Sequence, residues 1–171
     1  MNATTGYLAL GSNLGDRERS IFGALRRLDA AGIRVTACSS LYESDPAEGA
    51  GGGSFLNAVA EVRPLLCPED LLNRLKSIEK SMGRTGGHNR PREIDIDILC
   101  LGDTVLDTAE LTIPHPRLHD RAFVLLPLRE IAPGFRCPLS GRNVDEMIEL
   151  LASSVNIARI SGRRLIAVLS P

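Results

Sequence analysis

Tryptophan is absent from this 171-residue chain, and only two tyrosines and four phenylalanines stand beside that gap. A sheet that stacks single-stranded RNA needs more aromatic surface than this. There is no basic excess either, with twenty Lys and Arg against twenty-one Asp and Glu. Phosphate neutralisation supplies most nucleic-acid affinity, so the balance argues against a nucleic-acid partner while leaving room for a local cationic pocket. Cys38, Cys67, Cys100 and Cys137 form no C-x-x-C pair, which removes support from structural zinc and from a redox dithiol. Four scattered thiols suit a reducing cytoplasm. The longest apolar run, around Ala122 to Leu128, is interrupted by Pro127 and falls far short of the ~20 residues that span a bilayer. The N-terminal residues Met1 to Gly6 lack the basic and apolar regions of a secretory signal. A soluble, cytoplasmic protein without a membrane partner is expected. No glycine is followed by lysine, so the common phosphate-binding P-loop cannot exist. Kinase-type G-x-G-x-x-G and H-R-D signatures are missing as well.

What is present fits one globular domain over residues 1–171, with 43% hydrophobic and 24% charged residues. Tyr7 to Leu10 reads as a buried strand stopped by Gly11-Ser12-Asn13. A helix follows from about Asp16, with Ile21, Ala24, Leu25 and Leu28 at helical spacing and Gly32 ending it. Ile33 to Tyr42 reads as a second strand, and Ser44 to Ser54, with its Gly49–Gly53 patch, as a loop. Phe55 to Val62 alternates, Leu56, Ala58, Ala60 and Val62 against Phe55, Asn57, Val59 and Glu61. Pro68-Glu69-Asp70 opens a helix that Gly83 closes. Glu93 to Leu101 alternates strictly, Ile94, Ile96 and Ile98 against Asp95 and Asp97. An extended stretch Leu111–His115, helices over Arg121–Ile131 and about Val144–Ala152, and a last strand over Arg164–Leu169 complete the reading. The βαββαβ order predicts an α+β, ferredoxin-like antiparallel sheet with helices on one face.

Asp95 and Asp97 carry the sharpest chemical signal. Two positions apart on a strand, both carboxylates leave by one face, with Cβ atoms ~6 to 7 Å apart. At an effective dielectric near 20 two such charges repel by ~2.5 kcal/mol, a sign that a divalent cation reverses. Oxygen-only donors select magnesium or manganese over zinc. Immediately before the strand, Gly83-Arg84-Thr85-Gly86-Gly87-His88-Asn89-Arg90-Pro91-Arg92 sets three arginines and a histidine in a glycine-rich loop. Planar guanidinium groups grip phosphate oxygens in pairs, and glycines let the backbone come close. Cations beside a metal-binding acid pair suit a polyphosphate. A solvated strand face and a basic surface loop are the bland alternatives for these two features taken separately. Pro114-His115-Pro116-Arg117 fixes His115 as a possible phosphate donor, while Arg117 and His119 read better as ordinary turn residues. Phe55 and Asn57 share a strand face and suit a planar heterocycle with donor and acceptor edges.

Four stretches resemble the 6-hydroxymethyl-7,8-dihydropterin pyrophosphokinase family: Leu10–Gly15, Ser39–Asp45, Phe55–Ala58 and Glu79–Phe123. The last holds Pro91-Arg92-Glu93-Ile94-Asp95-Ile96-Asp97-Ile98-Leu99 and Pro114-His115-Pro116-Arg117. The resemblance implies a ferredoxin-like fold with mobile substrate loops. It implies ATP, two magnesium ions, and transfer of pyrophosphate to the pterin hydroxymethyl oxygen with release of AMP, in folate biosynthesis. It assigns both ions to Asp95 and Asp97, and catalysis to these acids with Arg84 and Arg92. ATP contacts fall to Arg84, Arg92, Ile98, Thr112, His115 and Arg121. Pterin contacts fall to Ser44, Asp45, Ala47, Phe55, Asn57, Asp95 and Phe123. Partners are then small molecules, and a monomer is expected. Where several members carry Trp-Gly before Pro-Arg, this chain has Asn89-Arg90. Rival readings are a metal-dependent phosphohydrolase, against which no Nudix glutamate motif or histidine-rich centre appears, and a non-enzymatic ligand or RNA module, which the charge balance disfavours.

Overall fold

The computed structural model describes residues 4–45, 53–84 and 91–151, with the backbone of 157–159. Its strands are β1 Gly6–Ser12, β2 Arg34–Cys38, β3 Tyr42–Ser44, β4 Phe55–Arg63, β5 Asp95–Leu101, β6 Leu106–Asp107, β7 Thr112–Ile113 and β8 Ile157–Arg159. The helices are α1 Arg17–Ala30, α2 Pro68–Ser81, α3 Ala122–Ile131 and α4 Val144–Leu150. The expected α+β class and strand–helix–strand–strand–helix–strand succession are both present. The main sheet runs β5-β1-β4-β3-β8 with β2 also on β4, and every pairing is antiparallel.

Helix α1 starts where Asp16 Oδ1 accepts from Arg19 N at 3.0 Å, satisfying one orphan N–H of the first turn. Beyond α1 and α2, Gly32 and Gly83 take φ of 79° and 100°, so both helices end where glycine tolerates a left-handed residue. Ile21, Leu25 and Leu28 of α1 and Leu71, Leu75 and Ile78 of α2 bury against Leu8, Leu10, Leu56, Ala58, Ile96 and Ile98.

The sheet is covered on both faces, not one. Helices α3 and α4 bring Val124, Leu125, Leu128, Val144 and Met147 onto Val59, Leu99 and Cys100 from the other side. Val59 alternates out of the first core and so supplies the second. At Leu99 the alternation of β5 breaks: Leu8 pairs Ile98 but Tyr7 pairs Cys100, so Leu99 bulges and joins Cys100 in the α3-side core.

The expected strand Ile33–Tyr42 is two strands. At the break Ser39 N donates to Val59 O at 2.9 Å, while Val59 N turns to Ser39 Oγ at 3.0 Å. The hydroxyl replaces a ladder carbonyl and lets the edge bend. Strand β5 starts at Asp95 instead of Glu93, and Leu111–His115 contains β7, paired with β6 in a small ribbon. The glycine patch, Ala47, Arg90 and the expected strand Arg164–Leu169 lie outside the described residues, Gly53 excepted. Strand β8 was not anticipated. Among the described residues no helix is long and apolar enough to cross a membrane.

Candidate functional site

Register assembles the site. Asp95 of β5 pairs Gly11 of β1, Gly11 pairs Asn57 of β4, and Asn57 pairs Tyr42 of β3. Residues directly opposite share a face, so this row lies on the side covered by α3. Two residues along the same face come Phe55 with Ser44, and in the other direction Asp97 with Ala9. Ala9 and Gly11 carry almost no side chain, which leaves open space between the acids and the aromatic. The space is a cavity of about 160 Å³ whose wall includes Ser44, Asp45, Phe55, Asn57, Arg92, Asp95, Asp97, Arg117, Arg121 and Phe123. The last two come from the start of α3.

The arginines converge on the acids. Asp95 Oδ1 meets Arg84 Nη1 at 2.5 Å and its Oδ2 meets Arg92 Nη1 at 2.6 Å. Asp97 Oδ2 meets Arg121 Nη1 at 3.5 Å and His115 Nε2 at 3.9 Å. Burial, then the neighbouring Asp95 charge, push the Asp97 carboxyl above its usual range despite the cations. A carboxylate that loses water without gaining full compensation is poised for a further positive partner. His115 Nδ1 accepts from Arg117 N at 3.0 Å, which leaves the proton of the neutral ring on Nε2, the atom that looks toward Asp97. Burial lowers the His115 pKa, with Asp97 opposing, so the neutral donor dominates at pH 7. Burial also lowers Arg121, whereas for Arg84 the charges of Asp95 and Glu79 outweigh burial and hold the cation.

Arg92 is fixed by a residue from the first loop. Asn13 Oδ1 accepts from Arg92 N at 2.8 Å, and Asn13 N donates to Arg92 O at 3.2 Å. Its guanidinium lies 5.9 Å from the centre of the Phe55 ring, and that of Arg121 lies 5.7 Å from Phe123. Each ring therefore sits under a cation, with the cavity beside both. Asn57 is buried and directs Nδ2 to Ser44 Oγ at 3.0 Å and Tyr42 O at 3.3 Å. Its Oδ1 then has no donor among the described residues and can accept from a ligand's N–H edge.

Glu79, on α2, stands behind these cations, a candidate residue to which sequence reasoning attached no role. It is 5% exposed, accepts from Ile96 N at 2.7 Å through Oε1, and holds Arg84 through the same oxygen. Burial pushes its carboxyl up to about 7, against the pull of the Ile96 N–H and Arg84. Its signal was position alone, an acid in the buried stripe of an amphipathic helix. Arg117, read from sequence as a turn residue, reaches the cavity wall.

Two expected ATP contacts are not gathered in. Ile98 alternates to the face opposite Asp97 and is buried in the α1/α2 core, while Thr112 sits in the ribbon and donates to Asp107 Oδ1 at 3.0 Å. Thiol chemistry has no place at the site, since burial pushes Cys38 and Cys100 up to about 12. No group of three or more His, Cys, Asp or Glu is placed to hold a metal among the described residues. The acid pair nevertheless fits a hard cation: both are oxygen donors on one face, and Asp97 Oδ1 has no hydrogen bond or ion pair among those residues.

Comparison with known proteins gives a consistent picture. The family model 7,8-dihydro-6-hydroxymethylpterin-pyrophosphokinase (HPPK) matches residues 7–133. The 2-amino-4-hydroxy-6-hydroxymethyldihydropteridine pyrophosphokinase of Bacillus subtilis is 42% identical over 127 residues, 73% of this chain and 76% of that protein. The folic acid synthesis protein fol1 of Pneumocystis carinii is 40% identical over 144 residues, 84% of this chain. This chain spans 20% of the length of that protein and 23% of its Dictyostelium discoideum counterpart. The crystal structure of Plasmodium falciparum HPPK-DHPS wild type with SDX-DHP superposes with a TM-score of 0.70 at 15% identity, covering 86% of this chain and 44% of that one.

Proposed function

The chain belongs to the 7,8-dihydro-6-hydroxymethylpterin-pyrophosphokinase family, and on that premise we propose that it transfers pyrophosphate from ATP to the hydroxymethyl oxygen of 6-hydroxymethyl-7,8-dihydropterin. The observation that carries the reading is the convergence of Arg84, Arg92, Arg121 and His115 on Asp95 and Asp97 at the wall of a cavity with two aromatic rings.

Phe55 and Phe123 hold the pterin ring, and Asn57 Oδ1 with Ser44 and Asp45 reads its polar edge. For Ala47, Ile98 and Thr112 the family resemblance alone supports a ligand contact. Asp95 and Asp97 would hold magnesium, since two carboxylates on one strand face suit a hard cation. When bound, magnesium would supply positive charge that offsets the repulsion between the two acids and the charge of the triphosphate.

The reaction forms a bond from the hydroxymethyl oxygen to the β-phosphorus and breaks the bond to the α,β-bridging oxygen, which leaves with AMP. The hydroxymethyl proton passes to water. Charge grows on the leaving oxygen and the transferring group, so fixed cations matter more than a strong base. Asn13 holds the Arg92 backbone and Glu79 holds the Arg84 guanidinium, so both cations already stand beside Asp95 and need only turn from its oxygens to those of the phosphate. Neutral His115 donates Nε2–H to a phosphate oxygen, and Arg121 adds charge where the N-terminus of α3 already favours an anion. All of these groups lie in one chain, so one copy suffices to build the proposed site.

An omission assay tests the reading. AMP is expected only when ATP, magnesium and hydroxymethyl dihydropterin are all present. Phosphate released from ATP without the pterin would instead indicate a hydrolase.

A further inference from the structure

The geometry points to Arg17 as a positioning residue for the pterin side of the site, acting through Glu43 and Ser54 from behind the sheet. The inference rests on the pterin assignment above. Arg17 opens α1, and its Nη1 meets Glu43 Oε1 at 2.8 Å, Ser54 O at 2.8 Å and Ser54 Oγ at 2.9 Å. Ser54 Oγ in turn donates to Glu43 Oε1 at 2.5 Å. Two protons on one nitrogen thus serve three acceptors, so the bonds are shared. Ser54 and Arg17 both help hold the Glu43 carboxyl below its usual range, so the clamp keeps its charge at neutral pH.

The two segments joined this way are the ends of strands β3 and β4. Glu43 pairs Leu56, whose side chain enters the α1/α2 core, so Glu43 points to the α1 side. The next rung, Ser44 with Phe55, is the last before the strands part, and both of its residues wall the cavity on the opposite face. Arg17, Glu43 and Ser54 do not line that cavity. A lone ion pair with side chains 31% and 34% exposed contributes little. This one joins two chain segments at the open end of a strand pair, where no further ladder bond holds them. Releasing it lets Ser44 and Phe55 separate, and the ring under Arg92 loses its fixed distance from Asn57.

Arg17→Gln keeps much of the side chain and removes the charge, and Glu43→Gln removes the other half. Binding of 6-hydroxymethyl-7,8-dihydropterin is titrated in the presence of magnesium and α,β-methylene ATP, and binding of that analogue is titrated alone. Each variant is expected to bind the pterin about fivefold more weakly, as losing one charged clamp implies. The double variant is expected to lose no more than either single one, because the pair acts as a unit. Affinity for the ATP analogue and the melting temperature, within about 3 °C, stay at wild-type values. Unchanged pterin binding, additive losses, or an equal loss for the ATP analogue would each overturn the role. A wild-type chain that binds no pterin would overturn the function and this inference together, whereas normal binding by both wild type and Arg17→Gln would remove the inference alone.

Discussion

Glu79 shows how a single buried acid can be tuned by its surroundings. It keeps its proton in the folded chain at pH values where the unfolded chain has lost it, since burial lifts it from 4.5 to about 7. The protonated form favours folding, so that contribution is present below pH 4.5 and is lost as pH climbs through 7. Glu79→Gln has no such loss and can still accept from Ile96 N. Measured by denaturation without magnesium, the stability of Glu79→Gln relative to wild type is expected to rise between pH 5 and 8 by on the order of 1–3 kcal/mol. A difference that does not move with pH would contradict the burial-driven shift. Arg92 gives the complementary case of a charge held ready. Its guanidinium touches Asp95 and lies over Phe55, so Arg92→Ala is expected to cut kcat by about 100-fold or more while pterin affinity falls by less than about fivefold. Equal losses in both would mean that Arg92 chiefly holds the structure. Asp95 and Asp97 were legible from sequence because a period of two leaves few places for their carboxylates to go. Glu79 and Asn13 were harder, because a residue that positions another leaves no pattern at its own location.

At the scale of elements, alternation and helix punctuation made most of the fold readable. Gly32 and Gly83 close helices because the backbone there turns left-handed, and β4 divides its side chains as its sequence alternates. Three features escaped for tertiary reasons. The second helical layer is written only in isolated apolar residues such as Val59 and Leu99, which look incidental until α3 covers them. The bulge at Leu99 is invisible in a run that is apolar on both sides. The β2–β3 break depends on Ser39, whose hydroxyl bonds a strand twenty residues away. Ser39 is fully buried, so Ser39→Ala strands the Val59 N–H and is expected to cost about 1–2 kcal/mol. Chemical denaturation checks this, and a variant as stable as wild type would show that Val59 finds another acceptor. Across the sheet, Glu130 of α3 accepts from Ser40 N and Oγ and from Tyr42 OH, tying the edge of the sheet to the helix that carries Arg121 and Phe123.

On the scale of the whole molecule, a nearly neutral chain concentrates opposite charges in one place. The α1 and α2 face supplies the larger core, and the α3 face supplies a second core with the opening beside it. On the proposed function, Asp95 and Asp97 serve a metal-bound triphosphate whose pyrophosphate is passed on. The most direct measurement is phosphorus NMR of ATP and hydroxymethyl dihydropterin at saturating magnesium, with wild type and Asp97→Asn compared at matched far-UV circular dichroism. Wild type is expected to yield AMP and a pterin diphosphate, with Asp97→Asn slower by about 1,000-fold or more. Turnover by Asp97→Asn within about tenfold of wild type, or ADP as the nucleotide product, would contradict it.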